Sequence, residues 1–373
     1  MKKLLIVNQN SGYLTVDVAN AFKQQYDEVV VMYGKNRITE RDFARDIKIQ
    51  STITYNRTSN LKRILTWALC TCHLFLLLLY KYRGYTILYY TNPPMSYINS
   101  LFFKNKFGIV VYDVYPDALT LIGIKPSNFI YKFWAALNKK VFKKAEKIVT
   151  LSEGMKNKLL NYVEPSKVNV VSVWPASDAF KPVSKQNNEF LKKQGWSNHF
   201  IVLYSGNMGI GHPLELLVDV AEILILNTDI LFLFVGEGAK KNKLMDACEK
   251  KKLSNVKFLT WQDKTTLPHS LASADIAVVA LEPEATHASV PSKTFNYMSV
   301  GAPILAIGNS GSELENLIKR FEMGMYAAIH DTSKIVNFIL NLKANKQQAE
   351  LYAQNAFKAS KQFTYQQAEA YLF

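Results

Sequence analysis

Cysteine is scarce in this chain of 373 residues: Cys70, Cys72 and Cys248 are the only three, and two of them lie inside an apolar run. They form neither a disulfide framework nor a metal-ligand spacing, and a reducing cytoplasm fits. Two nucleotide-binding signatures, GxxxxGK followed by Ser or Thr and GxGxxG, are both missing. Their absence argues against a P-loop NTPase and against a standard dinucleotide site. The six histidines form no cluster with carboxylates that would argue for a metal, and no cofactor is expected. The opening MKKLLIVNQNSG reads as a short strand entering a loop, with an apolar core too short for a secretory signal. Tandem repeats and low-complexity segments are absent as well.

Acidic side chains are the other shortage. Thirty Asp/Glu stand against 45 Lys/Arg, a net charge of +15, and the imbalance is uneven. Residues 1–180 hold 25 Lys/Arg against 12 Asp/Glu, whereas residues 181–373 hold 20 against 18. The basic excess therefore belongs to the N-terminal half and points to a polyanion or an anionic surface there. Aromatic side chains and a long apolar run in the same half favour a membrane over nucleic acid, which would ask for a polar groove.

Short β-rich apolar runs alternate with longer helical segments, the pattern of α/β folding on parallel sheets. Strands are expected at Leu4–Val7, Glu28–Tyr33, Thr86–Tyr90, Gly108–Asp113, Lys147–Leu151 and Val168–Val173. After a linker-like stretch around Trp174–Asp178 and Lys181–Asn188 the pattern restarts at Phe200–Tyr204, Ile230–Val235, Val256–Leu259, Ile276–Leu281 and Ile304–Ile307. The economical reading is two Rossmann-like doubly wound domains facing each other across a cleft, residues 1–178 and 179–345. A helical segment, 346–373, is expected to pack back toward the first domain.

Ile64–Tyr80 is apolar throughout and flanked by Lys62-Arg63 and Lys81-Tyr82-Arg83. As a helix it would be about 25 Å long, a little short of a bilayer span. It reads either as a helix packed on the sheet or as a monotopic helix partly sunk in lipid. A transmembrane span fits less well, since strand–helix–strand patterning continues on both sides. Phe129–Lys147 is a second basic, aromatic helix with six lysines from Lys132 onward. A solvated lysine face and an interfacial contact explain it equally. Trp67, Leu76, Lys132, Trp134, Lys139 and Lys140 are the expected membrane contacts.

Three polar turns follow strands in the second half: Tyr204–Gly209, Gly236–Gly238 and Val290–Lys293. Glycines let backbone N–H groups approach an anion, and a helix N-terminus adds orphan donors and partial positive charge. The last turn is the most informative, because Ser292 and Lys293 open a helix that Gly301 ends before Ile304–Ile307 returns to the sheet. One such turn is weak evidence, but three on one sheet edge would line a nucleotide-diphosphate pocket. In the first half, Asp113 and Asp117 are candidates to hold an acceptor hydroxyl, against the simpler reading that each caps a helix. His73 lies in the apolar run, and His212 and His287 are loop residues near the proposed site.

Taken in order, Thr91-Asn92-Pro93-Pro94, Asp113-Val114-Tyr115-Pro116-Asp117, Thr150–Glu153, Val173-Trp174, Tyr204–Gly209, Phe234–Gly238 and Val290–Pro303 span nearly the whole chain. Together they resemble the family 4 glycosyltransferases of the GT-B type, above all the fucosamine-transferase-like branch of bacterial O-antigen and capsule assembly. The resemblance implies a retaining, metal-independent enzyme. Its donor would be a nucleoside diphosphate sugar, UDP-linked and N-acetylated, and its acceptor a lipid-linked saccharide at the cytoplasmic face of the membrane. It places Gly12, Ser205, Gly206, Asn207, Gly209, Ser292 and Lys293 on the donor diphosphate. Gly236, Glu237, Trp261, Val290, Pro291 and Asn296 would frame the nucleoside, and Asn10, Ser11, Asn92, Tyr112 and Asp117 the acceptor. Asp113, Lys293 and Glu284 are the expected catalytic groups. Four positions depart from the family pattern: Asn296 and Ala288 stand where glutamates are usual, Ile210 where a basic residue is, and Tyr112 where a histidine is. The rival readings are a sugar-nucleotide epimerase of similar fold and a non-catalytic nucleotide-sugar or lipid-binding partner. The first would need buried acid–base pairs and would have no use for the apolar run.

Overall fold

The computed structural model describes residues 1–36, 41–56, 58–281 and 290–373. The chain forms two units, Met1–Ala176 with Tyr365–Phe373, and Ser177–Thr364.

The first unit is built on strands β1 (Lys3–Val7), β3 (Glu28–Tyr33), β5 (Lys48–Ser51), β6 (Thr86–Tyr90), β7 (Phe107–Val111), β8 (Lys147–Thr150) and β9 (Val168–Val170). They lie in the order β5-β3-β1-β6-β7-β8-β9, and β2 (Asn10–Ser11) and β4 (Lys35–Asn36) form a separate short pair. Every pairing is parallel. Runs such as Leu4-Leu5-Ile6-Val7 are fully buried because helices cover both faces of such a sheet, so the strands are apolar throughout and do not alternate. Edge strand β5 escapes sequence reading, since its KIQS is polar and mostly exposed. The helices are α1 (Tyr13–Phe22), α2 (Asn60–Tyr80), α3 (Phe129–Lys144) and α4 (Glu153–Leu159).

Six strands make the second sheet: β10 (Phe200–Ser205), β11 (Ile230–Val235), β12 (Val256–Leu259), β13 (Ile276–Ala280), β14 (Ile304–Gly308) and β15 (Gly324–Ala328), in the order β12-β11-β10-β13-β14-β15. All are parallel. Its helices run from α5 (Glu189–Gln194) through α6 (Glu215–Ile223), α7 (Lys241–Lys250), α8 (Leu267–Leu271), α9 (Ser292–Ser299) and α10 (Glu313–Phe321) to α11 (Thr332–Ala344) and α12 (Lys346–Ser360). Leu217, Val220 and Leu224 around α6 and Ile335, Ile339 and Leu342 on α11 close one core over the sheet. The final residues, Tyr365–Phe373, belong to the first unit: Tyr371 meets Trp174 edge-on, and Phe373 meets Phe22 the same way.

Both sheets reverse direction beside their first strand, between β1 and β6 and between β10 and β13. Ligands of open α/β sheets bind outside the strand C-termini at such reversals, which marks the loops after Val7, Tyr90, Ser205 and Ala280.

Helices α2 and α3 differ in how they use their apolar side chains. Only Cys70, Leu74 and Leu78 of α2 are buried, a narrow stripe at i, i+4 and i+8, and just 17% of its most apolar window is covered. The helix is docked along one stripe with half-covered flanks, and its opposite face is open, with Leu61 77% and Leu76 53% exposed. On α3, Trp134 is no membrane contact. Its indole is buried, stacks on Tyr115 at 5.1 Å and donates to the Tyr97 hydroxyl, because helical spacing turns it inward with Asn138, Val141 and Phe142. Phe129, Ile130 and Phe133 are the exposed apolar groups of that helix, and Lys132, Lys139 and Lys140 are exposed beside them.

Candidate active site

The second unit's site begins where β10 ends. The backbone N–H of Ser205 donates to the hydroxyl of Tyr297 on α9 at 2.7 Å, and the Tyr204 hydroxyl donates to the Asn207 carbonyl at 2.6 Å. The loop is thus tied both to its own strand and to the helix beside it. Gly206 has φ +151° and Gly236 has φ +133°, a region that L side chains rarely adopt. A methyl on Gly236 would run into the Gly206 carbonyl, and one on Gly238 into the Met208 backbone. The two turns are pressed together and joined by Met208 N–H donating to the Glu237 carbonyl at 2.8 Å. Trp261, 55% exposed, closes over Gly236, its ring 3.3 Å from where a methyl would stand.

Lys293 completes the cluster from the first turn of α9. Its ammonium sits 3.9 Å above the Tyr204 ring and 2.5 Å from where a methyl on Gly206 would be. The Nζ is buried without a hydrogen-bond partner among the described residues, and desolvation pulls its pKa down to about 7. Among the described residues no side chain caps this helix start, which leaves backbone N–H groups of its first turn open to an anion. His212 joins the same group: its ring lies 3.3 Å from the Gly209 methyl position. Desolvation first, then the charges of Lys293 and Lys240, push its pKa to about 4. Sequence reading had placed His212 only near the site and gave Tyr204 and Tyr297 no role. Nothing local marks the two tyrosines, which meet the loop only through the fold.

Of the remaining second-unit expectations, Ser292 is exposed at the helix start and Asn296 follows one turn later, with Val290 and Pro291 just before. The Glu237 carboxylate is held by Lys241 at 2.7 Å, so that turn offers its backbone first. Glu284 lies outside the described residues.

In the first unit a cavity of about 310 Å³ opens over the C-terminal ends of β1 and β6, bringing together Asn10, Ser11, Gly12, Asn92 and Tyr112. Among the described residues the buried Ser11 hydroxyl and Asn92 side-chain oxygen find no partner there, and the Tyr112 hydroxyl lies against that of Tyr90. Gly12, expected on the diphosphate, is part of this cavity wall. Asp113 stands two residues beyond β7 rather than at its end, open to solvent at its rim. Crowding by surrounding protein nonetheless raises its carboxyl above the ordinary range. Asp117 is engaged within the first unit. Its two oxygens accept from Tyr131 at 3.2 Å and Tyr162 at 2.5 Å, an anchoring that a capping argument from sequence does not foresee.

What these groups can do follows from their chemistry. Backbone donors, a helix start and a desolvated cation lie close together, a set of groups chemically suited to an anion.

Comparison with known proteins agrees. Residues 199–345 match the family described as Glycosyl transferases group 1. A Pseudomonas aeruginosa protein named as the glycosyltransferase WbjE is 24% identical over 268 residues, 69% of this chain and 66% of its own. An Escherichia coli protein named for colanic acid biosynthesis, the glycosyl transferase WcaI, is 27% identical over 206 residues, 54% of this chain and 50% of its own. The matches thus span less than two thirds of either relative. Among solved structures, Anabaena HepE in complex with UDP and glucose superposes with a TM-score of 0.72 at 15% identity, covering 99% of this chain and 98% of that one. The two parallel-sheet α/β units share the GT-B fold of these solved structures, and residues 199–345 of the second match the glycosyl transferase group 1 model.

Proposed function

We propose that the protein is a glycosyltransferase of bacterial surface polysaccharide assembly. It moves a sugar from a nucleoside diphosphate donor on the second unit to a lipid-linked saccharide on the first. The observation that carries this reading is Lys293, whose buried ammonium has no hydrogen-bond partner among the described residues and sits against Tyr204 and Gly206 at the start of α9. A protein gains nothing by burying an unpaired cation unless an anion completes it. A diphosphate does so, and the charge that grows on it as the glycosidic bond breaks is met by donors already in place. UDP as the nucleotide is supported by HepE, whose complex holds UDP and glucose. An N-acetylated hexosamine and retention of configuration follow from the family resemblance.

On the acceptor side, Asp113 receives the proton of the incoming hydroxyl. Burial raises its carboxyl pKa, which makes it a stronger base than a free aspartate. The uncovered apolar surface of α2 and the exposed Phe129, Ile130 and Phe133 seat the first unit peripherally on the inner face of the membrane, where its basic excess meets anionic headgroups. Transfer of radiolabel from UDP-sugars to a membrane lipid extract tests the reading. Lys293→Ala should abolish it, and undiminished transfer by that variant would remove the mechanism.

A further inference from the structure

The geometry points to a phosphate seat at the start of α2, formed by the Arg63 guanidinium and the Trp67 indole N–H, that holds the phosphate joining acceptor saccharide to lipid. This assignment rests on the lipid-linked acceptor proposed above and names the part of it that the first unit grips.

Arg63 and Trp67 are one helical turn apart, and the guanidinium carbon lies 5.3 Å from the indole centroid. Arg63 Nε and Trp67 Nε1 are both buried donors without an acceptor. Among the described residues no carboxylate pairs with the half-buried Arg63, whose guanidinium packs on the Trp67 ring. Buried N–H groups left unmade are costly, and two of them side by side on a cationic platform suit a phosphate.

The platform is rigid. Trp67 stacks on Tyr55 with planes 8° apart and meets Tyr115 edge-on at 6.3 Å, and Tyr115 in turn stacks on Trp134. Trp134 donates to the Tyr97 hydroxyl, which donates to Asn138, and Asn138 donates back to the Tyr115 carbonyl at 2.6 Å. Gln9, in the loop after β1, holds the Thr66 carbonyl at 2.9 Å and so fixes the helix against the cavity wall.

What surrounds the seat specifies the ligand. Tyr115 is influenced by Asp113 and by Arg63: burial pushes its pKa up to about 12, the carboxylate adds to that, and the guanidinium opposes it. The same ring therefore adjoins both the proposed base and the proposed phosphate seat. Away from Asp113, Leu61, Ile64, Leu65 and Leu69 of α2 are 77%, 57%, 54% and 47% exposed. A hydroxyl-bearing sugar near Asp113, a phosphate at Arg63 and an apolar chain along α2 are the three parts of one amphiphile in order. Neither a free anion nor a plain lipid uses all three.

Titration of the full chain with farnesyl diphosphate, farnesol and pyrophosphate, followed by tryptophan fluorescence, tests this. Each titration is repeated in Lys293→Ala to remove the donor seat. Farnesyl diphosphate should bind more tightly than either other probe. Arg63→Gln should weaken it roughly 10- to 100-fold without altering farnesol, in keeping with a charge-assisted hydrogen bond. Trp67→Phe, which keeps the ring and loses the donor, should weaken it less, with the thermal midpoint unchanged. Equal binding of farnesol and farnesyl diphosphate, or no effect of Arg63→Gln on the latter, overturns the seat, and pyrophosphate binding as tightly as the lipid diphosphate makes it a free-anion site instead. Because these titrations need no transfer, selective binding in a protein that transfers nothing would sink the proposed activity and leave the seat standing.

Discussion

Single residues carry the electrostatics of this protein. The Lys293 ammonium, with a pKa near 7 against an ordinary 10.5, is largely neutral in the free protein at pH 8.5. A bound diphosphate restores its proton, so nucleotide binding should take up a proton above pH 7 and weaken as pH rises further. Calorimetry of UDP binding in buffers of different ionisation enthalpy reads this directly, and Lys293→Met should abolish the uptake and cost roughly 10- to 100-fold in affinity, the scale of a charged hydrogen bond. Without ligand the sign reverses. The unfolded chain holds this proton more tightly, so the Lys293 contribution to stability improves as pH rises from about 7 toward 10.5. Gly236→Ala tests the loop itself: its methyl would meet the Gly206 carbonyl at φ +133°, and we expect a lowered thermal midpoint together with lost UDP binding.

At the scale of elements, α2 is the one whose surface and surroundings disagree. A helix this apolar covers itself in a soluble fold, yet here one stripe is docked and the opposite face is open. Leu65→Ser, Leu69→Ser and Leu76→Ser together should leave folding intact, since these side chains are about half exposed. They should lower partitioning onto anionic vesicles by roughly 100-fold, at about 1 kcal/mol for each half-buried leucine. Lys139→Glu with Lys140→Glu on α3 should remove the salt-sensitive part of binding, about 1 kcal/mol per lysine. Co-sedimentation at low and high salt separates the two, and a wild-type chain that stays in the supernatant at both would end the membrane reading.

For the whole molecule, the notable feature is that the first unit is finished by the end of the chain. Asp17, buried, accepts from Arg41 at 2.7 and 2.8 Å and from the Trp174 indole at 2.7 Å, and Tyr371 packs edge-on against that indole. Phe373 fills the space above Gly108, while Lys147 donates to the carbonyls of Ala370 and Leu372. Residues 1–176 alone should therefore unfold at lower urea than the same residues joined through a short linker to 365–373, with tryptophan fluorescence as the probe. In the full chain, Asp17→Asn should cost about 3–5 kcal/mol, because it leaves a buried guanidinium without its charge partner.

What the sequence determined by itself was whatever depends on neighbours along the chain. Parallel strands buried on both faces announce themselves as apolar runs, so β1, β3, β6, β10, β11, β13 and β14 were legible, as were the Gly206, Gly236 and Lys293 turns between them. Polar β5 was not legible, because an edge strand need bury little. Only the tertiary structure could turn Trp134 inward, occupy Asp117 with two tyrosines, bring Tyr297 under the Ser205 loop and leave the donors of Arg63 and Trp67 unmatched. Each of these is settled by which groups share a space once the chain has folded, and desolvation, which sets their cost and their pKa, has no counterpart along the linear chain.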